Sequence, residues 1–346
     1  MEKGECMERF SIPTVTKNSQ SGERRAGFEF EVGNVGIEKA ATVLHKALGG
    51  KIEKISPYEF HILELELGDL KIERDAQLLT SLKYRDWLLE LGIDFSPGSD
   101  AERVEQEVDR LSRWLIPCEI VTSPVPFSKL DQLHDLVRAL EEVGAEGTHK
   151  SLYYAFGLHI NPEAPSLEVS TLVAYVQAFL LMADWIIDTS STDFSRRFFT
   201  KYIDPFPDAY AELVLDLNYQ PSVAQFIDDY LEHNPTRNRA LDMLPIFYEL
   251  DKERLMKGLP EEQHELIKGR PAFHYRLPDC RVGAEDWSVA QEWNRWALIE
   301  QLAEHQDLRE ELIEKWQEEQ NSFALSHKSN WVKTIHRFLE EKSLLK

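Results

Sequence analysis

Cysteine is scarce in this chain. Cys6, Cys118 and Cys280 are the only three, odd in number and without metal-ligand spacing. Neither a disulfide scaffold nor a thiolate-held zinc site is expected, and a reducing, cytoplasmic setting fits best. Basic residues are in deficit: 39 Lys and Arg stand against 61 Asp and Glu, a formal net charge of −22. That balance argues against a nucleic-acid backbone or an anionic membrane as the main partner. It does not exclude an anionic substrate, because a site can carry its own Arg, Lys or metal charge. No apolar signal region opens the chain, and residues 1–22 read as a polar, disordered leader. The longest apolar stretch, Thr171 to Ile187, contains Gln177 and Asp184 and is short for a membrane span, so it reads as a buried core helix. Gly-x-Gly-x-x-Gly, Gly-x-x-x-x-Gly-Lys-Ser/Thr and Gly-x-Ser-x-Gly are all absent. Rossmann, P-loop and α/β-hydrolase readings therefore lose their defaults.

What the chain has is a set of short segments that put ionisable groups on one face of a strand. Successive side chains of a strand point to opposite faces. In Gly27-Phe28-Glu29-Phe30-Glu31-Val32, the apolar residues take one face, and Glu29 and Glu31 the other. Two neighbouring carboxylates repel unless cations hold them, which makes this segment a candidate floor for a divalent-metal site. The alternation recurs. Leu70 and Ile72 oppose Glu73 and Asp75, Leu158 and Ile160 oppose His159 and Asn161, and Phe273, Tyr275 and Leu277 oppose His274 and Arg276. Glu119 is a single acid in the apolar run Cys118-Glu119-Ile120-Val121. A solvated sheet face also alternates. Such a face favours Lys, Thr, Ser and Gln, whereas these positions hold mostly Glu, Asp, His and Arg, Lys71 and Asn161 excepted.

Around these segments the pattern predicts an α+β fold: an antiparallel sheet with helices on one face, a polar opposite face, and a large helical insertion. A helix is expected at Ile37–Leu48, ended by Gly49-Gly50. Phe60 to Leu67 reads as a strand, and Gly68-Asp69 as a hairpin turn into Leu70–Asp75. Ser99 and Glu102 suggest a capping box before a helix carrying Val104, Val108, Leu111 and Leu115. A strand at 118–121, a helix from about Lys129 to Val143 and a strand from Ser151 to Asn161 follow. The helical insertion covers about 166–258, with breaks at Pro205-Phe206-Pro207 and Pro221, and a last strand lies at 272–277. The domain division is a leader at 1–22, a sheet-bearing main domain at 23–284 and a helical extension at 285–346. The Trp293, Trp296 and Ile299 stripe of that extension reads as core or a dimer seam, and the oligomeric state stays open.

Asn234-Pro235-Thr236-Arg237-Asn238-Arg239 reads as a polar loop opening a helix at Ala240. Arg237 and Arg239 there oppose the helix dipole, so a bound phosphate or carboxylate would offset them. Surface pairing with Asp228 or Asp229 is the competing explanation. Lys268, Arg270 and Arg281 add positive charge around Arg276. Glu29 and Glu31 also fit a solvated sheet edge, and His159 a hydrogen-bonded structural role.

Taken together, Gly27-Phe28-Glu29-Phe30-Glu31, Cys118-Glu119-Ile120-Val121-Thr122-Ser123-Pro124, Gly157-Leu158-His159-Ile160-Asn161 and Tyr275-Arg276-Leu277-Pro278 resemble the amidoligase family. That family is similar to glutamine synthetase and glutamate–cysteine ligase in its catalytic sheet. The resemblance spans roughly residues 24 to 280. It implies a glutamine-synthetase-like sheet and an ATP-dependent carboxylate–amine ligase acting through an acyl phosphate, with ATP and Mg²⁺ or Mn²⁺. It implies metal ligands at Glu29, Glu31, Glu73 and Glu119, with Glu64, Glu66 and Asp75 competing for the place of Glu73. His159 would contact metal or phosphate, with Asn161 beside it on the nucleotide side. Arg276 would stabilise the transferring phosphoryl group, supported by Arg237 and Arg239. His274 stands where glutamine synthetase has a Glu, and His suits Mn²⁺ or Zn²⁺ better than Mg²⁺. The implied substrates are a carboxylate and an amine, whether amino acid, polyamine or peptide, with no nucleic acid and no membrane. A catalytically inactive scaffold of the same fold and a metal-dependent hydrolase are the alternatives.

Overall fold

Phe28, Phe30 and Val32 are fully buried while Glu29 and Glu31 between them are not, so the alternation read in the sequence is the alternation of strand β1, Arg25–Val32. The computed structural model describes residues 8–74, 117–148, 156–190, 204–320 and 327–345, the side chains of 327–329 excepted. Asp75, the Ser99–Glu102 capping box, the helix carrying Val104 to Leu115 and the strand start at Ser151 lie outside the described residues.

Helix α1, Ile37–Leu48, turns Ile37, Ala40, Ala41 and Leu44 inward at helical spacing. It ends where Gly49 and Gly50 take φ of 82° and 76°. Gly50 has no alternative, since a Cβ there would strike the Leu63 carbonyl and the Leu65 side chain. The chain then forms β2, Lys51–Ser56, β3, Glu59–Leu63, and β4, Leu70–Glu73. Strand β2 was not expected: its half-exposed, Lys- and Glu-rich sequence has no apolar alternation to show. Strand β3 stops short of Leu67 because Glu64 adopts φ 62° and donates its backbone N–H to Asp69 Oδ1. The hairpin to β4 is as expected.

After the undescribed 75–116 come β5, Cys118–Thr122, the two-residue β6, Val125–Pro126, a 3₁₀ turn at Phe127–Gln132 and α2, Leu133–Glu142. Strand β7, Leu158–Pro162, leads to α3, Val169–Thr189. Helices α4, Asp208–Val214, and α5, Val223–His233, precede β8, Leu241–Asp242, and α6, Leu244–Gly258. Strand β9, His274–Tyr275, is followed by α7, Val289–Glu304, α8, Gln306–Gln320, and α9, His327–Glu341.

All strand pairs are antiparallel, in the order β2-β3-β4-β5-β1-β7-β9-β8, with β6 alongside β1. The fold is thus α+β. The apolar sheet face packs on helices. Phe28 meets Trp293 of α7 at 6.0 Å, and Tyr275 meets Trp296 at 5.4 Å and Phe179 of α3 at 6.1 Å between ring centroids. The Trp293–Trp296 stripe is core. Helix α3 is long and apolar enough to cross a membrane, but 67% of its apolar window is buried inside the protein, against α7, α8 and α9.

Two further expectations change. The described part of the leader is ordered: Phe10 is buried, Ser11 accepts from Trp293 Nε1 at 2.7 Å, and Ser11 N–H donates to Asn294 Oδ1 at 2.7 Å. Its polar composition carried no sign of a partner so distant in sequence. Residues 234–240 do not open a helix; they run into β8, and α6 begins only at Leu244. Pairing with β9 overrides the local helical pattern there.

Candidate active site

The polar face of the sheet carries its acids in register. Glu31 of β1 stands opposite Glu119 of β5, Glu119 opposite Glu73 of β4, and Glu73 opposite Glu59 of β3. This ladder of carboxylates crosses adjacent strands because residues of one parity, paired directly across an antiparallel sheet, share a face. Burial comes first in lifting the Glu119 carboxyl to about 8, followed by the charges of Glu31, Glu29 and Glu73, with Lys71 pulling the other way. Lys71 Nζ lies 2.7 Å from Glu73 Oε1. Glu31 Oε2 accepts the Gly157 N–H at 2.7 Å.

Beside the ladder, Glu29 stands opposite His159 of β7. Its Oε2 lies 3.1 Å from His159 Nδ1, its Oε1 accepts from Asn161 Nδ2 at 2.7 Å, and Arg270 Nη2 approaches to 4.0 Å. Burial works against ionisation of Glu29, but His159, His274 and Arg270 outweigh it and hold the carboxyl well below its ordinary range. His274 of β9 stands opposite Asp242 of β8, with Nδ1 3.2 Å from Asp242 Oδ2. Burial pushes the His274 imidazole down to about 4, against the pull of Asp242, so it is neutral at pH 7. Ligand atoms of Glu29, His159 and His274 lie within 4.8 Å of one another, the one such set of three among the described residues.

Of these groups, Glu29, Glu73, Glu119, Asp242 and His274 line a cavity of about 370 Å³. Lys268, Arg270 and Arg237 line it as well, bringing positive charge next to the acids. Arg270 is oriented by the bond from its Nη2 to Asn161 Oδ1 at 2.7 Å.

The expected metal ligands therefore divide. Glu29, His159 and His274 converge, while Glu31, Glu73 and Glu119 form the ladder next to them. Glu64 and Glu66 lie in the turn beyond β3, Glu66 beside Lys129, whereas Glu73 lines the cavity. Asn161 reaches the site as a hydrogen-bond bridge between Glu29 and Arg270. Of the clamp at 237–239, Arg237 lines the cavity and Arg239 does not. The Arg239 guanidinium bonds the carbonyls of Pro205 and His233 and lies over Phe206. The surface pairing considered for it does not form either, since Asp228 pairs with Arg254 and Asp229 accepts from Tyr219. Arg276 is 9% exposed and its Nη1 donates to the Arg237 carbonyl and to Asn238 Oδ1. It supports the loop that carries Arg237 instead of lining the cavity. Arg281 pairs with Asp286.

Sequence reading missed Asp242 and undervalued Arg270. Asp242 sits in a strand of two residues, too short for any periodicity. Arg270 precedes Pro271 in a loop, and only its charge marked it.

Fold and site together define an α+β protein with a polar-faced antiparallel sheet bearing a carboxylate–imidazole cluster. The chain belongs to the family described as "Putative amidoligase enzyme", whose model matches residues 22–298. No curated protein and no solved structure matches it.

Proposed function

We propose that the protein is an ATP-dependent carboxylate–amine ligase that forms an amide bond through an acyl phosphate. Family membership supports the reaction class. The observation that carries the mechanism is that Glu29 and His274, two members of the Glu29–His159–His274 cluster, line one cavity together with Arg270, Lys268 and Arg237. The positions of the acids on successive strands also favour a glutamine-synthetase-like sheet.

A carboxylate does not condense with an amine in water, because oxide is a poor leaving group. In the proposed reaction a carboxylate oxygen attacks the γ-phosphorus of ATP and ADP leaves. The amine nitrogen then attacks the acyl carbon, loses a proton, and phosphate leaves. Most of what such a site contributes is position and charge neutralisation.

The residues fit divalent cations: the Glu29–His159–His274 cluster offers oxygen and nitrogen donors, and Glu31, Glu73 and Glu119 offer further oxygens. Bound there, Mg²⁺ or Mn²⁺ would neutralise phosphate charge and orient the nucleotide. Arg270, oriented by Asn161, presents its guanidinium to phosphoryl oxygens, and Lys268 and Arg237 add charge on the same wall. Glu119 holds a proton at neutral pH and releases it as positive charge arrives. The amine substrate is an amino acid, a polyamine or a peptide.

The test is thermal stabilisation by a non-hydrolysable ATP analogue with Mg²⁺ or Mn²⁺, against each alone. A ligand at 100 times its Kd stabilises by about 2.7 kcal/mol. A synergistic shift, lost in Glu29→Gln, followed by amine-dependent phosphate release, is the expected result. A shift with metal alone favours a hydrolase, and no shift at all favours a scaffold.

A further inference from the structure

We infer that Glu29, His159 and His274 form a subsite that selects a first-row transition-metal ion able to take nitrogen ligands, Zn²⁺ or Mn²⁺, over Mg²⁺. This rests on the metal-dependent ligase reading and names the ion for one part of that site.

The donor set is one carboxylate and two imidazoles, with ligand atoms within 4.8 Å of one another. The two rings meet edge to face, with centroids 5.2 Å apart. His274 is held as a ligand histidine is held. Its Nδ1 faces Asp242 Oδ2 at 3.2 Å, and Asp242 is itself fixed by the Leu244 N–H on Oδ1 at 2.9 Å. The Asp242 side chain is 1% exposed. A carboxylate can only accept, so Nδ1 carries the proton and Nε2 the lone pair.

That Nε2 is buried and has no hydrogen-bond partner. A buried acceptor left unmet costs stability, and here it belongs to a residue clustered with Glu29 and His159. A cation satisfies it. Imidazole nitrogen suits Zn²⁺ best and is accepted more readily by Mn²⁺ than by Mg²⁺, which prefers oxygen and sheds its water reluctantly. The neighbouring ladder of Glu31, Glu119 and Glu73 offers oxygen alone, so the two parts of the face differ in the ion they prefer.

The experiment uses the full chain, stripped with a chelator and titrated with Mn²⁺, Zn²⁺ or Mg²⁺ alone. Most sites bind Zn²⁺ more tightly than Mg²⁺, so the ratio alone decides nothing. Its change in variants does, together with nitrogen coupling in the pulsed electron spin resonance of bound Mn²⁺. We expect coupling to two imidazole nitrogens in the native protein and to one in His274→Gln. His274→Glu should narrow the Zn²⁺ to Mg²⁺ affinity ratio by at least about tenfold. Asp242→Asn should weaken Zn²⁺ by about 10- to 100-fold, the usual loss when the partner of a ligating histidine is removed. His159→Gln gives a second loss of one nitrogen should position 274 not tolerate change. Absence of nitrogen coupling, or an unchanged ratio in folded His274→Glu, overturns the inference. If Mg²⁺ with the ATP analogue still stabilises the chain in that case, the ligase reading survives; if neither binds, both fall.

Discussion

Arg24 and Glu300 meet as a two-pronged ion pair in the interior, Nη1 2.7 Å from Oε2 and Nη2 2.8 Å from Oε1, with both side chains fully buried. The pair joins the residue before β1 to α7, and Glu300 also accepts from Tyr175 Oη and Trp296 Nε1. Removing one partner strands a charge away from water. Arg24→Met should cost about 3–5 kcal/mol in urea unfolding. Arg24→Met with Glu300→Gln should recover more than half, because no charge remains and the amide oxygen still accepts from Trp296. A double variant no more stable than the single one would show that packing, not charge, sets the loss.

Arg270 and Arg276 should separate kinetically. Arg270 lines the cavity, and Arg270→Ala should lower kcat about 10²-fold, the loss typical of one donor to developing charge. Arg276 acts through the loop it holds. Arg276→Lys keeps the charge but not the fork, and should raise the nucleotide KM more than it lowers kcat. Steady-state kinetics at varied ATP check both, and equal kcat losses would place Arg276 in the cavity.

Glu119 faces acids on both neighbouring strands. Its raised pKa means that the folded chain holds a proton the unfolded chain releases, so without cations stability falls as pH rises from about 4.5 to about 8. Glu119→Gln should therefore raise the melting temperature in chelator at pH 8 and reduce the stabilisation by divalent ions. A lower melting temperature there would contradict the repulsion.

Glu292 provides a second pH response independent of metal. Burial lifts its carboxyl to about 7, although Arg295 Nη1 lies 2.9 Å away. The sign is the same: stability present below about 4.5 is lost as pH rises towards 7. Glu292→Gln should flatten that slope with and without chelator, as read from melting temperature across pH 4.5 to 8. A slope unchanged in Glu292→Gln would place its origin elsewhere.

Strand β1 and helix α1 were legible because their apolar periods, two and 3.6, run over eight and twelve residues with Gly49-Gly50 to end the helix. Glu29, Glu73, Glu119, His159 and His274 were legible as members of one face because strand parity is local. Strands β2 and β8 were not: one is half-exposed on both sides and the other has two residues, so neither displays a pattern. Arg239 was misplaced for the same reason. A loop read as a helix start in fact runs into β8, and the carbonyls of Pro205 and His233 hold the Arg239 guanidinium over Phe206 while Asp242 faces the cavity.

The sequence by itself determined which residues are acidic, basic or imidazole on each strand face, and hence a polar-faced antiparallel sheet suited to cations and phosphate. Face parity depends only on neighbours in the chain, so no tertiary contact is needed to know it. Which strands lie side by side was decided by the tertiary structure alone. Register placed Glu119 between Glu31 and Glu73, set Glu29 against His159 and brought Asp242 behind His274. Those partners are separated by up to 130 residues, and what joins them is the burial of the opposite, apolar face against α1, α3 and α7.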